Sequence, residues 1–238
     1  MRLAPPFEPL GQQITIALPG AQVVFTTRRG GHSSGPYGSL NLGRLTDDSS
    51  ELVERNRQRV EDGLGVRLAY VRQVHGSDVI RLERIDAPLQ EADGQATTLG
   101  GIAPTVLVAD CLPIALAGDG AVAMLHAGWR GLAGGVIDEG VAAMRELGAR
   151  GPLHAAIGPG AGPCCYEVGD EVRAVFEASA HRGANLDLKA IARARLEQAG
   201  IEVTSDVKLC TMCAPELFFS HRRDHGVTGR QAGIVWRT

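Results

Sequence analysis

Three side chains sit where an apolar run gives way to a loop: His75 in "QVHG", Cys111 in "VADC" and His126 in "LHAGWRG". Strand ends hold a side chain rigidly while leaving it accessible, which is where chemistry is usually placed. Two imidazoles and one thiolate are good zinc ligands, and a catalytic zinc keeps a fourth position open for water. Such a water ionises near neutral pH and becomes a usable nucleophile. The three residues come from separated segments, and their spacing matches no short metal-ligand pattern. Two other readings stay open at this point. One is a buried free cysteine beside two hydrogen-bonded histidines. The other is a nucleophile–base pair in which Cys111 attacks and His126 takes the proton.

Around these residues lie groups suited to an anion. Gly128, Gly131, Gly134 and Gly135 surround Trp129 and Arg130 at an expected helix start. Backbone N–H groups plus an arginine there form an anion site, unless the glycines only let helix pack closely on sheet. The Gly- and Ser-rich loop "RGGHSSGPYGSLNLGR" and the arginine before it offer Arg28, Ser34, Asn41 and Arg44 as a cradle for phosphate or ribose. Loops of this length are functional or disordered more often than not. Asp93, Asp110 and Glu167 are candidate general acids, though carboxylates so placed are more often structural than catalytic. "CTMC" is one CxxC without a second such pair, and reads as two ordinary thiols rather than a zinc site. "SHRRDHGVTGR" places Arg222, Arg223 and Arg230 near two histidines, as an anion contact or a solvated basic turn.

The elements that must position these groups follow from periodicity. "QVVFTTR" is a β-branched strand, and "TVLVAD", "PIALAG" and "AVAMLHA" are three more with short turns between them. "LAYVRQV" and "DVIRLE" are expected to pair with each other across the tight turn His75-Gly76-Ser77. Asp48 with Glu51 fits a capping box, opening a helix with Leu52, Val60 and Leu64 on one face. A helix is expected from near Gly131 to Leu147, stopped by Gly148. "PLHAAIG" and "QAGIVWR" are strands, with helices at "DEVRAVFEASA" and "DLKAIARARLEQAG", the latter capped by Asp187 and ended at Gly200. Strands and helices alternate, but many strand links are of hairpin length. The fold class is therefore α/β (α+β): one domain over 1–238, a layered sandwich of mixed β-sheets flanked by helices.

Composition removes whole classes of function. A net charge of −3 in 238 residues argues against nucleic-acid binding, which needs a concentrated basic face. No apolar run approaches the ~20 residues that span a bilayer, and "MRLAPPFEPL" has the three prolines and lacks the apolar core that argue against a signal peptide. Five cysteines, two of them adjacent, make a poor disulfide framework and point to reduced thiols in the cytoplasm.

Taken together, "TTRRGGHSSGPYGSLNLG", "NRQRV", "RQVHGSDV", "ADG", "ADCLPIAL", "LHAGWRGLAGGV", "GPCCYEVGDEV" and "FFSHRRDHGVTGR" resemble the laccase-domain family, the multicopper polyphenol oxidoreductases, now regarded as purine nucleoside phosphorylases. These stretches run in order from about residue 25 to the C-terminus. The resemblance implies a layered α/β fold with a zinc ion on His75, Cys111 and His126, copper being the other metal attached to the family. It also implies phosphorolysis of adenosine, inosine and methylthioadenosine to free base and ribose 1-phosphate, with adenosine deaminase activity beside it. The partners so implied are purine nucleoside and phosphate, with neither nucleic acid nor membrane, for a monomer or small homo-oligomer. Where the family continues "NLG" with a histidine and a Gly-Asp pair, this chain reads "RLTDD", placing Arg44 at that edge. Rival readings are a copper phenol oxidase, a Cys–His hydrolase acting on cell-wall precursors, and a nucleoside-binding protein without turnover.

Overall fold

The alternation of Leu and Ile with Ala in "LPIALAG" decides how the middle of the molecule is built. Large residues can face one layer and small ones another only if this strand is buried on both sides. The computed structural model describes residues 3–84, 89–201 and 203–238. The opening strands are β1 (Glu8–Leu10), β2 (Gln13–Leu18) and β3 (Ala21–Phe25), followed by helix α1 (Ser50–Leu64). Next come β4 (Arg67–Ala69), β5 (Val79–Arg81), β6 (Gly94–Thr97), β7 (Ile102–Val108), β8 (Leu112–Gly118) and β9 (Ala121–Ala127). Helices α2 (Trp129–Gly134) and α3 (Val136–Glu146) precede β10 (His154–Ile157) and the single turn α4 (Asp170–Arg173). The short β11 (His181–Arg182) and β12 (Asn185–Leu186), helix α5 (Leu188–Gln198), β13 (Val203–Asp206) and β14 (Gln231–Arg237) complete the fold.

Two mixed six-stranded sheets result, in the orders β1-β2-β3-β14-β7-β4 and β13-β10-β8-β9-β6-β5. On β8, Leu112, Ile114 and Leu116 pack with Leu132, Ile137, Met144 and Ile191 of the helices. Its Ala115 and Ala117 face the other sheet, against Ile14, Ile16, Phe25 and Val108. The small side chains leave room for Phe25. Helix α1 covers the outer face of the first sheet through Val60, beside Leu40, Leu42 and Ile234. The layers run helix, sheet, sheet, helices: the layered sandwich of mixed sheets with flanking helices expected from the sequence.

Four local expectations are corrected. "LAYVRQV" and "DVIRLE" do not pair with each other: β4 pairs parallel with β7 in one sheet and β5 parallel with β6 in the other. His75 lies on the crossing between them, with φ 61, and sends the chain from sheet to sheet instead of back on itself. The expected helix 131–147 is two helices, α2 and α3, broken at Gly135 with φ 89. Helix α1 starts at Ser50 with Ser49 as N-cap and without a side-chain cap, because Asp48 is spent on Asn41 and the Ser49 amide; the buried face uses Val53, Asn56, Arg57 and Val60, with Leu52 only half-buried. "DEVRAVFEASA" makes only the turn α4 and a short 3-10 segment at Ala178–Ala180. Asp187 does cap α5, accepting from the Ala190 amide at 2.9 Å.

Candidate metal centre and cavity

Cys111 sits in the link from β7 to β8, a second crossing between the sheets, while His126 is one residue from the end of β9. With His75 on the first crossing, two crossings and the end of one strand converge. One ligand atom from each of the three residues lies within 4.8 Å of the others, and the two imidazole rings meet edge to face at a centroid distance of 4.9 Å. Glycine at 128 leaves room for this approach: a Cβ there would stand 3.0 Å from Cys111 Sγ.

Asp93 holds the group together. Its carboxylate is fully buried and accepts from His126 Nδ1 at 2.7 Å. It also accepts from the backbone amides of Val74, His75 and Gly76 at 3.2, 3.0 and 2.6 Å. Burial works against its charge, but the His126 bond and these amides outweigh it and hold the carboxyl below its usual range. With Nδ1 donating to Asp93, His126 presents Nε2 toward Cys111, the carboxylate–histidine arrangement that fixes a metal-binding imidazole. Burial pushes the Cys111 thiol up, yet the His126 charge and hydrogen bonds from both imidazoles bring it down to about 6. Burial likewise lowers His126, but the Cys111 thiolate and Asp93 raise it to about 9. Each of the two thus favours the charged form of the other, a thiolate beside an imidazolium. That donor set, two nitrogens and one sulfur with a carboxylate behind, fits zinc with one position left open.

The group opens into a cavity of about 670 Å³, within the range of small-molecule sites. Its wall carries six arginines (Arg44, Arg57, Arg72, Arg130, Arg222 and Arg230) and, of carboxylates, Asp110. Arg130 lies over the Trp129 ring at 4.4 Å and Arg222 over Tyr166 at 4.6 Å. Arg44 is paired with Glu54 and Arg72 with Glu91. Arg57 and Arg230 are tied to backbone carbonyls. Among the described residues no carboxylate pairs with Arg130. The Tyr70 hydroxyl, on a residue of the cavity wall, is buried without a hydrogen-bond partner, and burial, countered in part by Arg57, raises it to about 12.

Of the residues expected at the site, the structure brings His75, Cys111, His126, Arg44 and Arg130 to one cavity. Arg28, Ser34 and Asn41 are not on its wall. The Arg28 guanidinium donates to the carbonyls of Gly38, Pro36 and Pro215, and the buried Asn41 bonds Thr46, Asp48 and nearby amides; Ser34 is exposed. The loop spends its polarity on its own shape. Of the glycines after Trp129, Gly131 serves packing, since a Cβ there would stand 3.0 Å from the Gly76 carbonyl, and Gly135 supplies the positive φ that breaks the helix. Asp110, whose oxygens accept from Thr211 Oγ1 and the Arg222 amide, and Asp93 are both committed, while Glu167 is exposed and off the cavity wall. Tyr70, Tyr166, Arg57 and Arg72 were not foreseen; Arg57 lies in "NRQRV", where the family resemblance already gave a signal.

A helix–sheet–sheet–helix sandwich with a His–Cys–His group at its sheet crossings defines the class of protein. The chain belongs to the multi-copper polyphenol oxidoreductase laccase family, whose model matches residues 22–238. It is similar to a purine nucleoside phosphorylase of Xylella fastidiosa, 41% identical over 249 residues, covering 92% of this chain and 94% of that protein. Among solved structures, a Neisseria meningitidis protein superposes with TM-score 0.88 at 36% identity, over 95% of this chain and 99% of that one. The YfiH protein of Bacillus licheniformis does so with TM-score 0.92 at 30% identity, over 99% and 100%. Among the described residues, no helix is long and apolar enough to cross a membrane.

Proposed function

We propose that the chain is a zinc-dependent purine nucleoside phosphorylase of the cytoplasm. Its reaction cleaves adenosine, inosine and methylthioadenosine with phosphate to free base and ribose 1-phosphate, with adenosine deaminase side activity. The carrying observation is the cavity wall, six arginines and one carboxylate around a His–Cys–His group, in a chain with the Xylella relative described above. A cavity so charged concentrates an oxyanion.

Phosphorolysis needs phosphate held under the ribose C1′ and a purine made ready to leave, through an oxocarbenium-like transition state as in glycoside cleavage. Arg130, braced on Trp129 and unmatched by a carboxylate among the described residues, offers the planar fork that binds phosphate through two hydrogen bonds. Arg222, braced on Tyr166, lines the same cavity. The Tyr70 hydroxyl stays protonated and, among the described residues, is a donor without an acceptor, suited to a ring nitrogen of the base. Asp93 keeps the His126 proton on Nδ1 and the other nitrogen turned to Cys111. A zinc ion on His75, Cys111 and His126 supplies, when bound, Lewis-acid polarisation and a water of lowered pKa.

The test is inosine with and without phosphate, following hypoxanthine release and ribose 1-phosphate by phosphorus NMR. Release is expected to require phosphate and to yield the sugar phosphate; release that ignores phosphate overturns the reading. One observation favours a second reading. Asp93, His126 and Cys111 line up as orienting acid, base and nucleophile, the logic of a cysteine hydrolase. A hydrolase of that kind keeps its activity in EDTA, whereas the zinc reading expects its loss. Multicopper oxidation, which the family's description names, needs several ligand sets rich in histidine; among the described residues only one candidate metal group contains histidine.

A further inference from the structure

Away from the cavity's metal group, the fold gathers four of the five cysteines. Cys164 and Cys165 come from the loop after β10, and Cys210 and Cys213 from the loop after β13. The two strands are parallel neighbours, so their exits lie side by side, and a further bridge joins Gly160 to Cys210. All four sulfurs lie within 4.8 Å of one another. The CxxC that looked like a lone pair of thiols in the sequence has its second pair in the adjacent cysteines, a spacing that no short motif would flag.

Packing does not explain the cluster. Free cysteines are normally buried among apolar groups, whereas Cys164 and Cys213 are exposed. Disulfide pairing does not explain it either. Cys213 Sγ is 3.3 Å from Cys164 Sγ and 3.2 Å from Cys165 Sγ, so neither partner is singled out. A zinc ion with Zn–S bonds of about 2.3 Å sets the sulfurs of a regular tetrahedron about 3.8 Å apart, within the spread seen. A multi-iron cluster would need its cysteines spread around an inorganic core, and these sulfurs are too close to enclose one. The backbone adds an independent observation. The Gly162 amide donates to Cys210 Sγ at 3.3 Å, and the amides of Met212 and Cys213 bond the same sulfur. Amides aimed at a sulfur favour the thiolate, the form that binds metal. Gly162 packs closely on the cluster: a Cβ there would be 3.3 Å from Cys164 Sγ and 3.5 Å from Cys210 Sγ.

We propose that Cys164, Cys165, Cys210 and Cys213 bind one zinc ion as a structural tetrathiolate site, distinct from the His75–Cys111–His126 group. Any thiol proton displaced on binding leaves to solvent. The ion clamps the two loops that build one side of the cavity. The first loop continues into Tyr166, which lies under Arg222. The second carries Thr211, whose hydroxyl bonds Asp110 beside Cys111 at 2.6 Å. This role stands whether or not the chain is a phosphorylase.

The decisive experiment measures zinc per chain by elemental mass spectrometry on the reduced full-length protein. Cys210→Ser/Cys213→Ser is expected to hold one equivalent less than wild type, and His75→Ala/His126→Ala to keep the equivalent that the double serine variant loses. Equal zinc in wild type and the double serine variant overturns the proposal. As a control for misfolding of that variant, wild type is also treated with iodoacetamide before and after chelation, with each cysteine read by peptide mass spectrometry. Protection of all four that is lost on chelation is expected; equal labelling of the four in both states overturns the site.

Discussion

Asp93 ties five groups into one knot: its own carboxylate, one imidazole and three successive amides of residues 74–76. Asp93→Asn keeps the shape and removes the charge. Partners of this kind are worth about 10–100-fold in metal affinity, so zinc binding measured against a competing chelator is expected to weaken by that factor. Unchanged affinity would show that His126 needs no carboxylate behind it. At this scale the sequence was half legible. His75, Cys111 and His126 announced themselves as reactive side chains at strand ends. Asp93 was weighed as an acid and turned out to be a positioning residue, because its partnership with His126 requires β6 to lie against β9, a non-local fact. Arg28, Ser34 and Asn41 looked like a phosphate cradle for the opposite reason: polar loop residues look alike whether they bind a ligand or their own backbone.

Two glycines separate helix propensity from packing at the scale of elements. Gly63, in α1, is exposed and a Cβ there meets nothing within 4 Å. Gly140, in α3, is buried, and its Cβ would stand 2.7 and 2.9 Å from the Leu125 methyl carbons and 3.3 Å from one of Leu116. Alanine in a helix gains about 0.5–1 kcal/mol over glycine, while overpacking a core costs about 1–3 kcal/mol. Urea denaturation is therefore expected to show Gly63→Ala more stable by about 0.5–1 kcal/mol and Gly140→Ala less stable by about 1 kcal/mol. A stabilised Gly140→Ala would mean that the layer of helices over the second sheet is loosely packed. The long apolar strands and the Asp187-capped helix were legible because composition and period agreed. β5 falls inside the expected strand "DVIRLE" and β4 overlaps the start of "LAYVRQV", but β6 was not legible, since four residues carry no period, and the pairing of "LAYVRQV" depended on partners tens of residues away. The helix break at Gly135 was visible only as one more glycine in a run read for anion binding.

Over the whole molecule, the layered class followed from the alternation of strands and helices, whereas the assignment of strands to sheets did not. "TVLVAD" and "PIALAG" read as neighbours, yet β7 and β8 belong to different sheets, because the link between them, with Asp110 at φ 98, turns the chain across the sandwich. The charge of the cavity was equally hidden. A chain of net charge −3 gives no hint that six of its arginines line one cavity. Both facts belong to the assembled layers and to no segment alone.

The crossings have a mechanical corollary. His75 and Cys111 are mounted on the two strips of chain that pass between the layers, while His126 is mounted on one layer alone. Sliding the layers past each other by the width of a methyl group would draw the donors apart while every strand kept its ladder. A zinc ion held there would then report on alignment rather than on secondary structure. On slow heating, an indicator dye is expected to register ion release at a lower temperature than the loss of far-ultraviolet circular dichroism, with coincident transitions as the contrary result.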